Sequence, residues 1–157
     1  MKKYKLTTET LQFAGRTLHR IKAVKDFDSI KAGEFGGWIE NEKNLSQDDN
    51  AWIYGDAMVF DNAEVYGNAK VYGNAEVCGD AKISKTNDIL CIAPIGSRND
   101  TTTFFKAKDN KIGVKCGCFT GTIDDFLEAV NETHGENKHA KAYKLACELA
   151  RVQILED

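Results

Sequence analysis

Proline and histidine are nearly missing from this 157-residue chain: a single proline, Pro94, stands against thirteen glycines, and there are three histidines. With proline so rare, the turns fall to glycine, asparagine and aspartate, which enter left-handed backbone at the least cost. Long apolar runs are missing as well. No stretch approaches the roughly 18 residues of a membrane-crossing helix, and the opening MKKYKLTTET lacks the apolar core of a signal peptide. A cytoplasmic protein without membrane contact is expected. No sign of charge dominates, with 21 basic and 24 acidic residues and a net charge of -3. No basic stripe is available to meet a phosphate backbone, so direct nucleic-acid binding is not expected. The five cysteines are odd in number and match no disulfide framework, which suits a reducing compartment.

What the chain does have is a count of six. From Ala51 to Thr86 it reads AWIYGD, AMVFDN, AEVYGN, AKVYGN, AEVCGD, AKISKT. Six is even and extended backbone alternates its side chains, so equivalent positions face the same way. Ala51, Ala57, Ala63, Ala69, Ala75 and Ala81 share a phase with Ile53, Val59, Val65, Val71, Val77 and Ile83, and all of these are expected inside. The Gly-Asn and Gly-Asp pairs between them supply corners.

Changes of pattern divide the chain into three parts: N-terminal strands and a cap over residues 1–50, the repeat over 51–86, and an α+β segment over 87–157. Strands are predicted at Leu11–Phe13 and Leu18–Val24, then over 88–93, 101–107 and 111–119, with Lys108-Asp109-Asn110 as a hairpin turn. Thr122, with Asp125 three residues on, opens a helix whose apolar face is Ile123, Phe126, Leu127 and Val130. A last helix from about Asn137 carries Ala140, Tyr143, Cys147, Ala150 and Ile154 on one side.

The aliphatic Val65, followed by Asn68 at the corner and small Ala69, resembles the hexapeptide-repeat, left-handed β-helix family. Tyr66 and Tyr72 stand where that family usually has a small residue. The resemblance implies three flat sides per coil of about eighteen residues. Residues eighteen apart then stack: Trp52 on Lys70 as a cation–π contact, Tyr54 on Tyr72 as an aromatic pair, Glu64 on Lys82 as an ion pair, Met58 on Glu76, and Phe60 on Cys78. The fold class expected is mainly β with an α+β C-terminus: a short triangular β-helix, then a small antiparallel sheet with two helices. Trp52, Tyr54, Met58, Phe60 and Tyr72 point outward and form a patch that needs a cover, either the cap, the terminal sheet or an identical subunit, or else a foreign partner.

Many proteins of the hexapeptide family are acyltransferases with a histidine base, yet the repeat here holds no histidine: His19 precedes it, and His134 and His139 follow it. No catalytic residue is assigned and the chain is expected not to be an enzyme. Cys116 and Cys118 leave one residue between them, too few for the usual metal pair. They are expected as buried thiols on one strand face together with Val114, with no metal and no cofactor. The loop Ile95 to Thr103 is the most site-like segment, and Ser97, Arg98 and Thr101 are its candidate ligand contacts, for an anion.

Gly15-Arg-Thr-Leu18, Gly36-Gly-Trp-Ile-Glu40, Asn44-Leu-Ser46, the repeat, Gly96-Ser-Arg98 with Thr101-Thr-Thr-Phe104, Cys116-Gly-Cys-Phe119 and Thr133-His-Gly135 together resemble a group of small proteins encoded by phages and prophages. That resemblance implies a bacterial host cytoplasm and a binding protein, foremost an inhibitor of antiviral defence of the anti-CRISPR kind whose partner is a host defence protein or effector complex. A sponge for a nucleotide signal is the first alternative and a hexapeptide-repeat acyltransferase the second. Outward apolar residues and open coil ends lead us to expect a homo-oligomer, dimer or trimer.

Overall fold

Strands follow one another as far as Thr122, and two helices come after them. A computed structural model describes residues 1–156. Three longer strands come first, β1 (Tyr4–Phe13), β2 (Arg16–Ala23) and β3 (Phe35–Ile39). Six two-residue strands follow: β4 (Trp52–Ile53), β5 (Met58–Val59), β6 (Glu64–Val65), β7 (Lys70–Val71), β8 (Glu76–Val77) and β9 (Lys82–Ile83). Then come β10 (Ile89–Ile95), β11 (Asp100–Ala107), β12 (Lys111–Cys116), β13 (Phe119–Thr122), α1 (Ile123–His134) and α2 (Lys138–Leu155). Neither helix is long and apolar enough to cross a membrane.

Each of β4, β5 and β6 pairs in parallel with the strand eighteen residues on: Trp52 with Lys70, Met58 with Glu76, Glu64 with Lys82. The chain therefore serves three ladders in rotation, β3–β5–β8, β4–β7 and β6–β9, each a separate sheet. The alanines and aliphatics of the six-residue count are buried together in one cluster. A left-handed residue turns the chain at every sixth position, Gly55, Asp61, Gly67, Gly73 and Gly79, with φ from 59° to 67°. The next position in the count is Lys85, whose bulk disfavours that region; its φ is -144° and the rotation stops. Carboxylates brace two corners across layers: Asp49 accepts from the Gly67 amide at 2.5 Å, and Asp61 from the Gly79 amide at 3.1 Å.

The rotation starts before Ala51. β3 pairs with β5, Trp38 opposite Met58, and Leu45 bridges Val65. The Ser46 amide donates to Val65, nineteen residues on, and the Asn50 amide to Gly67, seventeen on. Two extra residues between Ser46 and Asn50 therefore break the count and hide the earlier sides.

The N-terminal segment covers much of the outward patch. Trp52 and Phe60 are 1% and 3% exposed, so neither offers a surface to a partner. Trp52 meets the rings of Tyr4 and Phe27 at 6.3 and 5.4 Å, and Phe60 that of Phe13 at 5.7 Å, all edge to face. The expected Trp52–Lys70 contact gives way to these aromatics, and the Lys70 ammonium goes to Asp28 and the Asn50 carbonyl at 2.8 and 2.6 Å. Met58 and Tyr54 are half-buried and Tyr72 is 54% exposed. Tyr54 and Tyr72 stack at 4.7 Å, and Lys82 donates to Glu64 at 2.5 Å. Lys3 is buried, its ammonium donating to the Asp49 and Ala51 carbonyls at 2.8 Å each; burial holds its pKa below the usual lysine range, with Asp49 opposing.

The second unit of packing is the antiparallel sheet β10–β11–β12–β13 with its helices. Its adjacent phenylalanines face opposite ways: Phe105 enters the first core and Phe104 the second. Ala107 bridges Ala81, and the Lys108 amide donates to the Asp80 carbonyl at 3.1 Å. The capping box at Thr122 and Asp125 forms, and Asn137 caps α2 through the His139 and Ala140 amides. The predicted strand over 111–119 is two strands, because Gly117 at φ 57° turns the chain back. Cys116 and Cys118 therefore do not share a face, and Cys118 is exposed.

Corner chemistry distinguishes Gly67 from Gly73. A Cβ on Gly67 meets the Ser84 carbonyl oxygen at 2.7 Å, whereas one on Gly73 meets nothing within 4 Å. Gly67→Ala is expected to cost about 3 kcal/mol, left-handed strain plus overlap. Gly73→Asn, the kind of residue Asp61 already is, is expected to stay within about 1 kcal/mol. Denaturant unfolding of the two variants measures the difference.

Candidate functional site

One end of the β10–β13 sheet gathers three glycine-bearing segments that lie far apart in the chain. The first is the turn after β10, where Gly96 and Asn99 have φ of 80° and 52° and the Asn99 amide donates to the Gly96 carbonyl at 3.2 Å. The second is the Gly117 turn between β12 and β13. The third is the end of α1, where His134 is followed by Gly135 at φ 59°. Antiparallel pairing brings the first two together, since Thr102 is opposite Cys116 and Phe119 is opposite Cys116 on the other side.

Tyr143 of α2 ties them. Its hydroxyl lies against Gly96, where any Cβ would collide with it, and 3.7 Å from the Cys116 sulfur. The Thr102 hydroxyl donates to that sulfur at 3.2 Å. The His134 ring is 5.9 Å from the Tyr143 ring and 5.4 Å from His139. Phe126 stands edge-on to Tyr143 at 5.2 Å and packs on Phe119 at 5.3 Å. Cys116, Phe119, Phe126, His134 and Tyr143 line a hollow of about 140 Å³. Burial, helped by the contact with Cys116, pushes the Tyr143 hydroxyl up to about 12, so it remains a proton donor at neutral pH. A thiol, a phenol and an imidazole thus share one small apolar space.

Of the three expected ligand contacts, Arg98 reaches the site: its Nη1 lies 3.9 Å from where a Gly117 Cβ would stand. Ser97 is exposed on the turn, and Thr101 is one residue out of step. Thr102 is the residue that turns to Cys116, because side chains alternate along β11. The motifs themselves were visible in the sequence, but Tyr143 read only as a core residue of its helix. Among the described residues no three histidine, cysteine or acidic side chains converge as a metal site would require.

The site is anchored to the repeat from the sheet's other face. Lys115 is buried, and its ammonium donates to the Gly117 carbonyl and lies 3.6 Å from Glu76 of β8. The Glu76 amide donates to the Thr103 hydroxyl at 3.0 Å. Burial raises the Glu76 carboxyl above its usual range, with Lys115 opposing.

No family model matches the chain. A 62-residue stretch is 39% identical to the uncharacterized acetyltransferase YdcK of Escherichia coli (strain K12), taking in 34% of this chain and 19% of that protein. The match overturns the expectation that the chain is not an enzyme, since the protein it aligns with is named as an acetyltransferase. Neither comparison links the chain to a phage, a defence system or a nucleotide signal.

Burial pushes the Cys78 and Cys147 thiols up to about 11, which leaves them almost wholly protonated at neutral pH and slow to react. Alkylation of the native protein read by mass spectrometry is expected to modify exposed Cys118 first, half-buried Cys116 more slowly, and Cys78 and Cys147 only on unfolding. Lys115→Met, which frees the Gly117 turn, is expected to speed labelling of Cys116; an unchanged rate counts against the anchoring role.

Proposed function

We propose that the chain is an acyltransferase-type protein whose three ladders are the sides of one triangular, left-handed hexapeptide coil and whose chemistry lies outside that coil, in the Cys116–His134–Tyr143 hollow. The rotation of the chain among three ladders and the left-handed residue at every sixth position support the coil. The 39% identity to a protein named as an acetyltransferase supports the reaction class. The observation that carries the location is the hollow itself, where His134, the Tyr143 hydroxyl and the Cys116 thiol line one space of about 140 Å³.

That volume is well under the roughly 300–1,000 Å³ that holds a whole small molecule. It suits a short acyl group, with the rest of an acyl thioester donor lying outside past the Gly117 turn and Arg98. In the reaction, His134 takes a proton from an acceptor amine or hydroxyl as that atom attacks the acyl carbonyl. The new C–N or C–O bond forms, the C–S bond breaks, and the thiolate leaves with the proton from His134. The Tyr143 hydroxyl is the donor available to the carbonyl oxygen as negative charge develops there.

The full-length chain, given acetyl-coenzyme A and a set of amine and hydroxyl acceptors, is expected to release free thiol above the uncatalysed rate. His134→Gln is expected to lower that rate by about 100-fold or more, with circular dichroism unchanged. Turnover that His134→Gln leaves intact would move the site elsewhere on the molecule, whereas no turnover with any acceptor would remove the reaction class.

A further inference from the structure

α2 is apolar on two opposite faces. Ala140, Tyr143, Cys147, Ala150 and Ile154 are buried against the sheet and α1. At ~100° per residue, Lys141, Leu145, Leu149, Val152 and Glu156 fall within about 80° of one another on the far side. Leu145, Leu149 and Val152 are 66%, 49% and 55% exposed. Their spacing of four and three is that of a helix-packing seam.

The two ends of this helix are charged against its own dipole. Helices favour acidic residues in the first turn and basic residues in the last, and α2 has no acidic residue in its first turn and no basic residue in its last. Lys138, Lys141 and Lys144 occupy its first half, Glu148 and Arg151 its second, with Arg151 held by Asp124 at 3.1 Å, and Glu156 stands at its exit. Each end is unfavourable for an isolated helix and favourable beside the opposite end of another. An antiparallel copy supplies that neighbour: with the twofold axis between Glu148 and Leu149, Leu145 faces Val152 of the second copy and Lys141 faces Glu156 of the second copy. The two dipoles then oppose, and the apolar seam is closed at both ends by an ion pair.

We propose that two copies of this chain associate through α2, antiparallel about a twofold axis beside Leu149, with the Leu145–Leu149–Val152 seam flanked by two Lys141–Glu156 pairs. A single-helix seam makes a small interface, so the association is a reversible one seen at micromolar concentration and above.

Sedimentation equilibrium of the full chain over a range of concentrations tests this. Monomer and dimer are expected in exchange, with Leu149→Glu giving monomer alone while the melting temperature holds, because two like charges are then brought into the apolar seam beside the axis. Lys141→Glu and Glu156→Lys are each expected to weaken association by about tenfold, and the two together in one chain to restore it, since the pairs are rebuilt with their signs exchanged. A monomer at every concentration overturns the proposal. So does a dimer that survives Leu149→Glu, or a double exchange no better than the single ones.

Discussion

A left-handed residue every six positions is the constraint on which the rest of the molecule depends. Gly55, Asp61, Gly67, Gly73 and Gly79 all hold φ between 59° and 67°, and the amides of Trp52, Met58 and Glu64 meet carbonyls seventeen residues on, those of Ala69, Ala75 and Ala81. Side chains inside such a narrow turn must be small, which is why alanine and a β-branched residue fill every inward pair. Glycine is not required for conformation alone, since Asp61 adopts the same φ. It is required at Gly67, where the Ser84 carbonyl takes the space of a side chain. Lys85 ends the rotation by being unsuited to the corner, and the backbone then extends towards β10.

Ladders this short leave polar backbone at both ends, and both are covered by chain that the repeat does not contain. β2 and β3 continue the β5–β8 ladder on one side. At the other, the Glu76 amide finds Thr103 and the Asp80 carbonyl finds Lys108. Unpaired strand edges invite further pairing, so the N-terminal strands and the C-terminal sheet satisfy groups that the repeat leaves open. Phe105 and Phe104, adjacent on β11 and facing opposite ways, make the sheet a wall shared by two cores.

Local periodicity made the six-residue count, the capping box at Thr122 and the buried face of α2 readable from the letters alone. What was not readable depended on residues distant in sequence. Two extra residues between Ser46 and Asn50 concealed that Trp38, Ile39 and Leu45 belong to the same ladders. The cover over Trp52 and Phe60 comes from Tyr4, Phe13 and Phe27, which no periodicity connects to them. At the candidate site the three motifs stood out by their glycines, but their meeting depends on the register of β11 against β12, and one step of that register separates Thr101 from Thr102. Reading Cys116 and Cys118 on one strand failed for a similar reason: a single glycine at positive φ reverses the chain between them.

The pairing of buried Lys115 with half-buried Glu76 ties the candidate site outside the repeat to the repeat itself. An ammonium buried at the surface of the sheet that faces β8 is costly unless its hydrogen bonds are made. Lys115 therefore keeps hold of both Glu76 and the Gly117 carbonyl, and the Gly117 turn stands at a height set by β8. Gly117 in turn faces Arg98, and its neighbour Cys116 faces Thr102 and Tyr143. The inward positions of the repeat are filled by alanines and aliphatics, which leaves no room there for a base or a nucleophile. Chemistry on this chain therefore has to stand outside those positions, and a cation that joins β8 to the Gly117 turn is a physical means of holding the candidate site in place.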